Sequence, residues 1–167
     1  MPAANTYIAL ASQTLSATAA SITFSNISQA YTDLVLVTQC ANTTNTSDIA
    51  MRFNADSGTN YSQTIMYAAS LNAAATRTTN SAAIYLNWYG NMPTTLGTQV
   101  ITASIQSYAN TTTFKPVLSR ANNGNNALDF IGAQWRSTAA ITSITVFPTA
   151  NLFSVGSLVS LYGILAA

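Results

Sequence analysis

The stretch that decides the fold is Ser21 to Val37, SITFSNISQAYTDLVLV. In its first half Ile22 and Phe24 alternate with Thr23 and Ser25, the period-two pattern of a half-buried strand. Asn26 to Ala30 supplies a polar bend. Leu34, Val35, Leu36 and Val37 then run without a polar break, so both faces of that second strand need cover, which makes it a central strand of its sheet.

Outward from this pair, other strands follow the same logic. Thr6 to Leu10 reads as a short first strand and Ala11 to Ala20 as a loop. DIAMRFN, Asp48 to Asn54, sends Ile49, Met51 and Phe53 to one face and Ala50 and Arg52 to the other, then ends in the turn formers of ADSGTN. Tyr61 to Leu71 fits a strand or a helical turn, and Asn72 to Asn80 is small and polar enough to read as an exposed loop. Ser81 to Tyr89 reads as a strand with Ile84, Leu86 and Trp88 on one face and Tyr85, Asn87 and Tyr89 on the other.

Gln99 to Tyr108 alternates again, with Ile101, Ala103 and Ile105 inward. Thr113 to Arg120 contains Pro116, which lacks a ladder donor and points to a sheet edge. Asn122 to Asn126, with Gly124 among four Asn, is a hairpin signal before its partner strand Leu128 to Arg136. Ile141 to Phe147 is stopped by Pro148, and Leu158 to Leu165 closes the series. About nine or ten short strands and no amphipathic helix predict an all-β protein: one domain, residues 1–167, folded as an antiparallel two-sheet β-sandwich of jelly-roll-like form.

Composition narrows the function. Charged residues are only 5% of the chain, with no Glu and no His, against roughly 25% charge in ordinary soluble domains. With a formal net charge of +1, little repulsion keeps copies apart, so burial in an assembly is the expected state. Four Arg and one Lys, scattered, give no phosphate-neutralising cluster, so no nucleic-acid partner is expected. The apolar run Val155 to Ala167 is too short to span a membrane, and the start MPAANTYIAL has no secretory signature, so no membrane partner is expected either. Cys40 reads as a small apolar residue at a strand end.

Catalytic chemistry is scarce. Without His or Glu, acid–base work would fall to Asp33, Asp48, Asp56 and Asp129, which lie in separate segments, so no enzyme, cofactor or metal is expected. Asn54, Asp56, Ser57, Gly58 and Asn60 resemble part of a calcium loop, yet one carboxylate suits an Asx turn better. Tyr85, Asn87 and Tyr89 form the other candidate: two aromatic rings flanking an amide suit either a sugar ring or an intersubunit contact.

Three segments, SITFSNISQAYTDLVLV, MRFNADSGTNYS (Met51 to Ser62) and SLVSLYGI (Ser157 to Ile164), together resemble small β-sandwich virion structural proteins of tailed bacteriophages, including cyanophages. The likeness runs in order along most of the chain and is thinnest between Leu71 and Gly97. It implies a capsid decoration (cement) protein on the virion surface, made in the host cytoplasm. Such a protein would be a homotrimer that bridges and stabilises the major capsid protein. The other role it implies is a tail fibre or baseplate module that binds host surface glycan, for which Tyr85, Asn87 and Tyr89 are the candidates.

Overall fold

Residues 21–37 form two strands, Ile22–Phe24 (β2) and Asp33–Gln39 (β3), which lie in different sheets. In the computed structural model, which describes residues 6–44, 47–69, 71–89, 91–123 and 127–165, no described residue is helical. It follows that no helix among them could cross a membrane. The remaining strands are Tyr7–Thr14 (β1), Ile49–Phe53 (β4), Tyr61–Ala69 (β5), Asn72–Ser81 (β6), Ile84–Tyr85 (β7), Gln99–Ile105 (β8), Lys115–Asn123 (β9), Ala127–Trp135 (β10), Ile144–Pro148 (β11) and Leu158–Ile164 (β12). All pairings are antiparallel.

One sheet has eight strands in the order β1-β12-β3-β8-β9-β10-β5-β6, the other four in the order β2-β11-β4-β7. The chain crosses between sheets at nearly every connection; only β5–β6 and β8–β9–β10 stay within one. Set β2-β11-β4-β7 against β3-(β8-β9-β10)-β5-β6 and the strand order is that of a jelly roll. A three-stranded meander stands where a simple jelly roll has a single strand, and β12 and β1 extend the sheet beyond β3. Among the described residues the count is therefore twelve strands rather than nine or ten.

A single apolar core fills the space between the sheets. Ile22, Phe24, Ile49, Met51, Phe53, Ile144 and Val146 from the smaller sheet meet Leu34, Leu36, Ile65, Ile101, Ile105 and Ile131 from the larger. The expected inward sets of β4 and β8 are buried as read. β3 is interior, flanked by β12 and β8, with Leu34 and Leu36 in the core and Val35 buried on the opposite face. Cys40, just past β3, is buried, and desolvation pushes its thiol up to about 12.

Four local readings need correction. Residues 72–80 are not a loop: they belong to β6, held to β5 by main-chain pairing at the sheet's edge, where neither face needs apolar side chains. The strand in residues 81–89 stops after Tyr85. β1 runs on to Thr14 through a stretch read as loop. Pro116 does not mark an edge, since β9 pairs with both β8 and β10. It is tolerated as the second residue of β9, where the β8 ladder starts only at Val117↔Ile105. β9 and β10 pair in register from Asn123↔Ala127, and the hairpin residues 124–126 lie outside those described.

Candidate interaction surface

The smaller sheet covers one face of the larger one. On the opposite, outer face, strand alternation and register fix which side chains are neighbours. One row runs Val35, Ser104, Leu118, Gly132, Thr64 and Arg77 across β3, β8, β9, β10, β5 and β6. The next runs Val37, Thr102, Arg120, Phe130, Met66 and Ala75. A third brings Val100, Asn122, Leu128, Ala68 and Ala73 together.

Large apolar side chains stand exposed in all three rows: Leu118 is 57% accessible, Met66 58%, Phe130 44% and Val100 48%. Phe130 lies at the centre and borders three shallow depressions. One is lined by Met66, Leu128 and Ala73 to Ala75, one by Val100, Thr102 and Asn122, and one by Tyr7, Val35 and Leu118. At strand spacings of about 4.8 Å, the exposed apolar side chains from Val100 on β8 to Met66 on β5 span about 14 Å. Lone exposed apolar residues are ordinary, but a contiguous patch marks an interaction site.

Tyr85, Asn87 and Tyr89 do not share a face. Asn87 is 0% exposed, and its Oδ1 accepts a 2.6 Å hydrogen bond from Ile49 N. The amide thus replaces strand pairing beside β4, which is why β7 ends at Tyr85. Asp129, buried on β10, finishes the job: its carboxylate accepts from Trp88 N (2.9 Å) and Tyr89 N (3.3 Å). Tyr85 packs edge-on against Trp88, whereas Tyr89 stacks on Tyr67 at 4.8 Å and 11° and stays half exposed. Of the three, Tyr89 alone offers an open aromatic ring, and it is paired with Tyr67, which the alternation pattern did not single out.

The turn after β4 is an Asx turn. Asp56 Oδ1 accepts from Gly58 N (2.9 Å), and Oδ2 accepts from Asn60 Nδ2 (2.9 Å) and Trp135 Nε1 (2.7 Å). Asn54, at φ 52°, accepts from Thr142 N and Ser143 N and donates to Ala140 O, tying the turn to the segment before β11. The side-chain oxygens of Asp56 and Asn54 are therefore occupied by donors of the chain itself.

Asp48 and Asp129 interact at one end of the sandwich. Burial, and then the charge of Asp129, push the Asp48 carboxyl up to about 7. Both Asp129 oxygens receive backbone N–H groups, so that carboxylate fixes main chain, while Asp48 Oδ1 is buried with no hydrogen-bond partner among the described residues. Among the described residues no group of three or more His, Cys, Asp or Glu converges.

No protein-family model and no curated protein matches the chain. Among solved structures, a protein of unknown function from Shewanella oneidensis MR-1 aligns over all of this chain and 82% of its own, at 11% identity and a TM-score of 0.23. A score that low carries no argument, and the fold assignment rests on strand order and register.

Proposed function

We propose that this chain is a non-catalytic virion structural protein of a tailed bacteriophage, a capsid decoration protein that bridges major capsid subunits as a homotrimer. The observation that carries the reading is the outer face of the eight-stranded sheet, a broad apolar patch around Phe130 in a chain only 5% charged. Such a surface is stabilised by cover, at about 25 cal/mol per Å² of apolar area removed from water. The three-segment resemblance supplies the kind of assembly. Repetition over a shell would turn a modest contact into strong retention.

The test is the copy number of the chain in purified particles, measured by mass spectrometry against the major capsid protein. A ratio near one, or a simple fraction of it, is expected. A ratio of a few per cent would move the protein to the tail. One observation favours that second reading, a fibre or baseplate module binding glycan: the half-exposed Tyr89 ring stacked on Tyr67 could carry a sugar face. Loss of host-cell binding in Tyr89→Ala with intact capsids would select it.

A further inference from the structure

The outer sheet face sets its large apolar side chains among Ser104, Thr102, Asn122 and Thr64, and it is not electrically neutral. Arg120 projects from β9, the fifth strand of eight, between Thr102 and Phe130 in register, and it borders two of the three depressions around Phe130. Arg120 is exposed and, among the described residues, has no hydrogen bond or ion pair. Arg77 adds a second cation toward the β6 edge.

Three of the four acids are off this face, and the fourth, Asp33, lies on it only at the rim. Asp56 is held in its turn by Trp135 and Asn60, Asp129 caps the backbone of Trp88 and Tyr89, and Asp48 lies beside Asp129's charge. Asp33 sits at the sheet's rim, about 17 Å from Arg120 by strand spacing and rise, and its Oδ1 accepts a 2.7 Å hydrogen bond from Ser107 N.

We propose that the outer face of the eight-stranded sheet is the docking surface, and that its occupant is a different protein presenting a carboxylate within an apolar surface, with Arg120 as the matching cation. This rests on the decoration reading above and names the face and the partner chemistry for it. A fork-shaped guanidinium ringed by Phe130 and Leu118 is suited to bidentate pairing with a carboxylate as water leaves the contact. A second copy meets the requirement poorly. A two-fold pairing centred on this face brings Arg120 against Arg120, and the chain has no carboxylate in the middle of the patch to oppose it.

The experiment uses phage particles lacking this chain, re-decorated with purified wild type, Arg120→Glu, Phe130→Ser, or the control Leu152→Ser, an exposed apolar residue outside this sheet face. Thermal melting confirms that each variant folds. Bound copies are expected to fall at least tenfold for Arg120→Glu and Phe130→Ser and to stay at the wild-type level for Leu152→Ser. Wild-type binding should weaken between 50 and 500 mM salt, to the degree set by screening. Equal decoration by Arg120→Glu, Phe130→Ser and wild type would overturn the inference and leave the decoration function standing. Failure of wild type itself to bind would overturn that function and this inference together. A soluble self-association abolished by Arg120→Glu or Phe130→Ser in sedimentation would identify a second copy as the occupant and reject the acidic partner.

Discussion

Trp135 Nε1 donates a 2.7 Å hydrogen bond to Asp56 Oδ2, joining the last residue of β10 in the larger sheet to the turn that follows β4 in the smaller. The indole also packs against Phe53, 5.6 Å between ring centroids, so one side chain closes this end of the core and fastens the turn outside it. Burial opposes ionisation of Asp56, but the bonds from Trp135, Asn60 and Gly58 and the charge of Arg52 outweigh it and hold the carboxyl below the usual range.

Asp56→Ala is expected to destabilise the fold by about 1–3 kcal/mol, since it orphans the indole N–H and opens the turn. The pH signature has a definite sign. A depressed carboxyl contributes stability above its unfolded pKa and loses it as pH falls through the folded value. Denaturant titrations between pH 6 and 2 should show a shallower acid limb in Asp56→Asn than in wild type.

Asp48 has the opposite sign. Its folded carboxyl, at about 7, keeps a proton that the unfolded chain releases near 4. That contribution is complete below the unfolded value and is lost as pH rises through about 7, at up to about 1.4 kcal/mol per pH unit. Asp48→Asn should flatten stability between pH 4 and 7 and raise the melting temperature at pH 8; an unchanged profile would contradict the assignment.

Lys115 is 0% exposed, and its Nζ donates to Thr113 O (2.6 Å) and Thr138 O (3.2 Å). Lys115→Met keeps the volume and removes the donor, leaving two carbonyls without their partner. A loss of about 1–3 kcal/mol is expected in urea unfolding, whereas Arg77→Met, at an exposed position, should stay within about 0.5 kcal/mol.

Gly163 on β12 lies under the Tyr31 ring, and a Cβ there would come within 2.5 Å of it. Gly163→Ala is expected to cost about 1–3 kcal/mol through overpacking. Tyr31→Ala should be costly alone, yet the double variant should be more stable than the two losses summed, a coupling that a mutant cycle measures directly.

The parts of the fold that were legible in the sequence are those where one face of a strand meets the core. Ile22 and Phe24, Ile49, Met51 and Phe53, and Ile101, Ala103 and Ile105 declare their faces by alternation. β6 was illegible because an edge strand exposed on both sides needs no apolar period; its pairing with β5 is main-chain chemistry. Tyr85, Asn87 and Tyr89 misled for a related reason. Side chains distant in sequence, Asn87 on Ile49 and Asp129 on Trp88, took over the hydrogen bonds that would have continued the strand. β10 hid the exposed apolar side chains of the outer face in plain view. Leu128 and Phe130 alternate with Ile131 and Ala133 in apparent two-sided burial, and only the sheet order reveals that one side is bare.

The burial of Lys115 has a practical side. It is the chain's only lysine, it is followed by Pro116, and its ammonium is sealed beneath two carbonyls. Apart from an α-amino terminus, the folded protein presents no amine to acylating dyes, cross-linkers or acetyl donors. Labelling of Lys115, as distinct from the α-amine, is therefore a clock for unfolding, and immobilising the native molecule through side chains calls for chemistry directed at its exposed tyrosines, Tyr7 and Tyr89.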